Sequence, residues 1–162
     1  MKLVFYPDAT SLKLISCAED FVIRVWDLVL KKEVAVMKPK GKSDNMAHMT
    51  TCLVFTKDKK TLITSGRDGS VHFWNAADNF KLISSLTLAS IGCDQDEEVL
   101  SLQYFSEDPC LIMGGKSGNI YVYSIKRQEI LSVSDISKRF NTAAEDEESD
   151  SVMILTLVLR GN

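Results

Sequence analysis

The feature that most constrains this chain is a short strand that recurs three times at intervals of nearly fifty residues. FVIRVWDL (Phe21 to Leu28) carries Trp26, SVHFWN (Ser70 to Asn75) carries Trp74 48 positions later, and NIYVYS (Asn119 to Ser124) carries Tyr123 49 further on. Apolar and polar residues alternate within each copy, which is the period of a strand and not of a helix. Each copy follows a shorter apolar strand, LKLISC (Leu12 to Cys17), TLITS (Thr61 to Ser65) or CLIMGG (Cys110 to Gly115), across the tight polar turns AEDF, GRDG and KSGN. Upstream again lie apolar runs ending at Phe5, Phe55 and Phe105, an even step of 50; downstream lie EVAVM, KLISSL and EILSV.

Four short strands per fifty residues cannot bury both faces of a sheet alone, and radial stacking of such units is the solution a β-propeller uses. The reading is all-β: a propeller with blades at about 3–37, 51–86 and 99–133, and the inner strand of a further blade at 152–159. Propellers close with about 4 to 8 blades, because closure alone protects the flanking sheets. Three to four blades therefore read as part of a larger ring. The connections Lys38 to His48 and Leu88 to Glu98 are polar and contain glycine, so they read as surface loops. Ser137 to Ser151 packs Glu145, Asp146, Glu147, Glu148 and Asp150 into six positions and reads as a disordered acidic insertion. Acids around Ser149 and Ser151 suit an acid-directed kinase, and Val-Met-Ile-Leu beside them suits strand addition by a partner, though a loop entering the next blade is the plainer reading.

Composition narrows the class. With 45% apolar and 25% charged residues, the chain has ordinary globular character. Its longest greasy run, Val152 to Leu159, is too short to cross a bilayer as a helix, and the start does not read as a secretory leader. An intracellular protein without a membrane role is the expectation. Cys17, Cys52, Cys93 and Cys110 lack metal-ligand spacing and read as reduced, small, mostly core residues. A net charge of −3 provides no field to gather nucleic acid indiscriminately, and the basic runs KPKGK and KDKK read as solvated turns.

Together the repeats, the Trp26-Asp27 pair and the turn aspartates resemble the WD-repeat family of β-propellers. PDATSL in the first blade and TSGRD in the second are similar to the transducin-β-like WD subunits of the small-subunit processome. The family resemblance implies a polar set in each blade, in which a turn Asp orients a His, the His reaches a strand hydroxyl, and the hydroxyl meets the Trp indole. Carried over residue by residue, it names Ser16, Asp20 and Trp26 in the first blade, with no His upstream, and His48, Thr64, Asp68 and Trp74 in the second. The third blade has Met113, Ser117 and Tyr123 at those places, and so is expected to lack the set. The physical role is stability, since a buried donor or acceptor without a partner costs roughly 1–3 kcal/mol.

Catalytic motifs find little support. GGKSG (Gly114 to Gly118) would need glycine at 110 to be a phosphate loop, Cys110 stands there, and a strand follows instead of a helix. PKGKS fails in the same way at Val36. His48 and His72 are the two histidines of the chain; His72 alternates with Val71 and Phe73 and reads as a residue between blades. No metal site, cofactor or small-molecule substrate is expected. A propeller enzyme would need convergent polar groups where the innermost strands begin, and Lys2-Leu3, Thr51-Cys52 and Leu100-Ser101 offer none.

The resemblance implies that the turn between second and third strands opens on one rim, with Glu19, Arg67 and Lys116 at equivalent places. Charges there are not required by the fold. They read as solvated turns or as a footprint for a partner, with Arg67 bonding a carboxylate or phosphate. The implied function is a non-catalytic scaffold for other proteins of a multi-subunit complex in small-subunit ribosome assembly, in the nucleolus, with pre-ribosomal RNA as an indirect partner. A substrate-recruiting adaptor, as in ubiquitin ligation, shares the same fold.

Overall fold

The computed structural model describes residues 2–6, 12–18, 20, 22–39 and 49–135. Twelve strands fall into three antiparallel four-stranded sheets, each in simple up-and-down order. The first sheet is β1 (Lys2–Phe5), β2 (Lys13–Cys17), β3 (Ile23–Asp27) and β4 (Lys32–Met37). The second is β5 (Thr50–Phe55), β6 (Thr61–Gly66), β7 (Ser70–Asn75) and β8 (Lys81–Thr87), and the third is β9 (Val99–Phe105), β10 (Cys110–Gly115), β11 (Asn119–Ser124) and β12 (Glu129–Asp135). The innermost strand β5 touches both β1 and β9, so the three sheets fan out from a shared line of inner strands. They are blades of a propeller and form part of a larger ring. The acidic segment 137–151 and the strand expected at 152–159 lie outside the described residues.

Alternation decides which side of each blade meets its neighbour. Ile15, Cys17, Ile23 and Val25 of the first blade are buried against Leu62, Trp74 and Phe80 of the second. Ile63 and Val71 of the second blade, on its opposite face, are buried against Leu102, Leu111, Met113, Tyr121 and Tyr123 of the third. Burying each such side chain contributes about 1.5–3 kcal/mol, so these two seams hold the blades together. Tyr6 closes the outer part of the first seam, meeting Phe55 and Phe80 edge-on at 5.3 and 5.9 Å.

The repeat is also written in backbone irregularities. A bulge interrupts the third and fourth strands at Val25/Trp26, at Phe73/Trp74 and at Val122/Tyr123, immediately before the recurring aromatic each time. Five residues after that aromatic, Lys31, Asn79 and Gln128 take left-handed φ of 52°, 46° and 58°. In the turn before the third strand, Gly69 and Gly118 occupy matching places with φ of 72° and 87°, where a side chain would be strained. Register corrects one alignment. Phe5 and Phe55 pair with Leu14 and Leu62, but it is Tyr104 that pairs with the equivalent Leu111, and Phe105 lies one place further on. The even step of fifty therefore breaks in the third blade.

The connection between second and third blades is not a plain surface loop. Leu88–Ile91 forms a short 3₁₀ turn capped by Thr87, whose hydroxyl accepts from Ser90 N while Ser90 Oγ accepts from Thr87 N. Leu88 is buried in the second seam, and Glu97, near the end of the connection, is only 4% exposed.

Candidate functional site

The aromatic residues anchor two of the polar sets. Trp26 Nε1 donates to Ser16 Oγ at 2.8 Å, and Trp74 Nε1 donates to Thr64 Oγ1 at 3.0 Å. The second pair is fully buried, while the first lies on the face of the first blade that turns away from the second. His72, across β6–β7 from Thr64, is buried and stacks on Trp74 at 5.7 Å. In the turn, Asp68 Oδ1 accepts from Ser70 N at 3.2 Å and Ser70 Oγ at 2.7 Å. Asp20 accepts from Val22 N at 3.3 Å and pairs with Arg24 at 2.6 Å, and the guanidinium bond holds its carboxyl below the ordinary value. In the first blade the turn Asp thus serves a surface arginine, which also reaches Glu33 at 3.3 Å. His48 and Glu19 lie outside the described residues.

Tyr123 stands in the tryptophan place and Met113 in the hydroxyl place, so the third blade lacks that bond, but it carries another polar set. Glu97 accepts from Ser117 N at 3.1 Å, from Ser117 Oγ, and from Tyr121 Oη at 2.6 Å. Asn119 Nδ2 in turn donates to Ser117 Oγ at 2.9 Å. Burial pushes the Glu97 carboxyl up, and the bonds from Ser117 and Tyr121 more than offset this, leaving it below its ordinary value. Tyr121 is pushed up to about 12 by burial and by the negative acceptor it serves. Sequence reasoning missed Glu97. Its signal is register: Glu97 stands two residues before Val99, as His48 stands two before Thr50, and Val99 and Thr50 pair with the equivalent Gly115 and Gly66.

This buried carboxylate organises the rim. The carbonyl of Glu97 lies 2.6 Å from where a Cβ on Gly69 would be, and its carboxylate lies 2.7–2.9 Å from where one on Gly115 would be. One residue thus packs against the turn of the second blade and the turn of the third. The next residue, Glu98, faces outward and meets Lys116 Nζ at 2.6 Å and Arg67 Nε at 3.9 Å. Both cations are more than half exposed. Two of the three expected rim positions are therefore brought together at one carboxylate, beside a shallow depression lined by Asp94, Asp96 and Ser117. Such exposed ion pairs contribute about 0–1 kcal/mol, so a partner's carboxylate or phosphate can compete for the cations at small cost.

Other concavities are chemically plain. A groove of about 440 Å³ between the outer strands of the second and third blades is floored by Ile63, Phe73, Leu86 and Ile125 and edged by Ser84 and Gln128. Among the described residues no group of three His, Cys, Asp or Glu side chains is placed to hold a metal ion, and no helix is long and apolar enough to cross a membrane. The four cysteines are free, and burial pushes each thiol up, away from the reactive thiolate.

Comparison with known proteins agrees with this geometry. The family model described as WD domain, G-beta repeat matches residues 41–75, the stretch that ends on the Thr64–Trp74 pair. The chain belongs to the WD-repeat family. This WD-repeat chain is 32% identical over 133 residues to Transducin beta-like protein 3 of Rattus norvegicus and 31% identical over the same length to that of Mus musculus. These matches cover 81% of the chain, which spans only 15% of the length of either relative. Among solved structures, the WD40 repeats of RRP9 superpose with a TM-score of 0.63 at 18% identity, covering 81% of this chain and 37% of that one. U3-55K gives a TM-score of 0.62 at 18% identity, covering 82% and 38%. At that identity the likeness is one of fold.

Proposed function

We propose that this WD-repeat chain is part of a non-catalytic scaffold that holds other proteins of a multi-subunit complex during small-subunit ribosome assembly in the nucleolus, with pre-ribosomal RNA as an indirect partner. The observation that carries the scaffold reading is the convergence of Arg67 and Lys116, from matching turns of neighbouring blades, on Glu98 over the buried Glu97. The blades fix the spacing of these charges before any partner arrives, so little further freedom is lost on binding. The similarity to Transducin beta-like protein 3 supports the ribosomal setting. Arg67 and Lys116 would meet carboxylates or phosphates of a neighbouring protein.

The test is affinity purification of the full-length protein under gentle salt. The reading requires small-subunit assembly proteins and precursor RNA to co-purify at constant ratios, with the RNA lost when the protein partners are stripped. Recovery of ubiquitin-ligase subunits in their place, or substrate turnover by the purified full-length ring, would replace it with another function.

A further inference from the structure

The seam between the second and third blades is open at a place where the preceding seam is filled. Ile15, Val25 and Ala35 lie side by side across the first blade and face the second; Ile63, Phe73 and Ser84 are their register matches one blade on and face the third. Ala35 is 8% exposed, whereas Ser84 is exposed and Phe73 only half-buried. Two aromatic rings make the difference. Tyr6 and Phe80 meet in the first seam, and Phe80 belongs to the same buried cluster as Ala35. Tyr6 is matched by Thr56: each follows an innermost strand and donates its amide to the first residue of the next strand, Lys13 or Thr61. Phe80 has no match, because the turn between Asn75 and Lys81 holds five residues (76–80) and the turn between Ser124 and Glu129 holds four (125–128), ending on Gln128. Thr56 and Gln128 both line the groove of about 440 Å³. Ile125, where the second blade has Ala76, narrows it without closing it.

The lining selects the occupant. Aromatic side chains hold the corresponding place one seam earlier, so the groove has the width and polarity of a ring site. It opens along β8, an edge strand whose outer backbone has no neighbouring strand among the described residues, and Ile83 on it is 57% exposed. An extended segment can pair there and send alternate side chains inward. The turn that joins Thr56 to Thr61 exposes Lys57, Lys59 and Lys60 against a single acid, Asp58, which accepts from Thr56 Oγ1 at 2.6 Å. Acidic residues beside the aromatic one complement that charge.

We propose that the groove seats a Phe or Tyr side chain from an extended acidic segment of a partner protein, which adds as a strand to β8. This surface lies at the opposite end of β6 from Arg67, so it is separate from the rim charges.

Two measurements on the full-length protein test this. Ligand-observed NMR with p-cresol, a free tyrosine side chain, should show saturable binding that Ser84→Phe weakens at least tenfold by filling the groove from the second blade. Gln128→Phe fills it from the third and should do the same, so either folded variant decides the matter. The Arg67→Glu, Lys116→Glu double variant should bind p-cresol as the wild type does. In the purified complex, a benzophenone side chain in place of Ser84 should crosslink to a segment of one partner protein that carries Phe or Tyr among Asp and Glu. A synthetic peptide of that segment should bind the wild type and lose at least tenfold in affinity when its aromatic residue becomes alanine. Binding of p-cresol that survives both filling variants, or that is lost with the rim charges, would overturn the proposal. So would a missing crosslink, a crosslink to a second copy or to another part of this chain, or a segment that binds equally well without its aromatic residue.

Discussion

The phenol of Tyr121 donates to the buried carboxylate of Glu97 at 2.6 Å, joining the third blade to the connection that leads into it from the second. A carboxylate that accepts two side-chain bonds and one backbone bond tolerates a dry site that an unpaired one would not. Through its backbone the same residue touches the turn that presents Arg67, and through its neighbour Glu98 it lies beside Lys116. Rim charge and blade stability are therefore linked through one residue.

The first prediction concerns acid. Glu97 sits below its ordinary value of 4.5, so it binds its proton more weakly folded than unfolded. Its contribution to stability is fully present above that value and is lost as pH falls through the depressed folded value. Thermal melting of the full-length protein across this range should show a steeper acid loss than Glu97→Gln, with the difference confined to acid pH. Parallel curves would contradict it.

At the alkaline end the sign reverses. Tyr121 rises from 10.0 to about 12, so its neutral form is favoured by folding. That contribution is whole below 10 and disappears as pH rises through about 12. Burial also raises Tyr104 and Tyr123, so absorbance titration should show several late phenolates, of which the one near pH 12 is absent from Tyr121→Phe.

Each tryptophan bond contributes to the stability of its blade. Trp74→Phe removes the donor to Thr64, which is fully buried, and should cost roughly 1–3 kcal/mol from the lost bond, with a further packing loss. Trp26→Phe removes the matching donor to Ser16 and should likewise destabilise through the lost bond. Denaturant midpoints of the two variants in the full-length protein check both.

Gly69→Ala should destabilise by roughly 1–3 kcal/mol, since φ of 72° strains an L-residue and the new Cβ would lie 2.6 Å from the Glu97 carbonyl. Gly92→Ala also has a positive φ, 87°, but meets no atom within 4 Å, so it isolates the strain alone and should cost less. Chemical unfolding of both variants measures the difference.

The fold was legible because alternation and the fifty-residue repeat are local features that survive in any context. The bonds Trp26–Ser16 and Trp74–Thr64 join residues that the repeat sets at the same spacing, each aromatic ten positions after its hydroxyl. Glu97 was hidden because an acid in an acidic stretch, Asp94 to Glu98, looks solvated; only strand register shows that it turns inward. The convergence of Arg67 and Lys116 on Glu98 was half legible. Their equivalence comes from the repeat, but the carboxylate between them comes from a connection read as plain surface. The left-handed residues Lys31, Asn79 and Gln128 left no glycine to mark them.

The most direct measurement of the scaffold account is co-purification of assembly partners with the full-length protein carrying Arg67→Glu and Lys116→Glu together, beside a Lys126→Glu control in the exposed turn between β11 and β12. The account predicts a folded double variant whose melting temperature falls only by the small amount expected for losing the two Glu98 pairs and adding like charge, with loss of at least one stoichiometric partner in the double variant and none in the control. A folded double variant that retains every partner at wild-type ratio would contradict it.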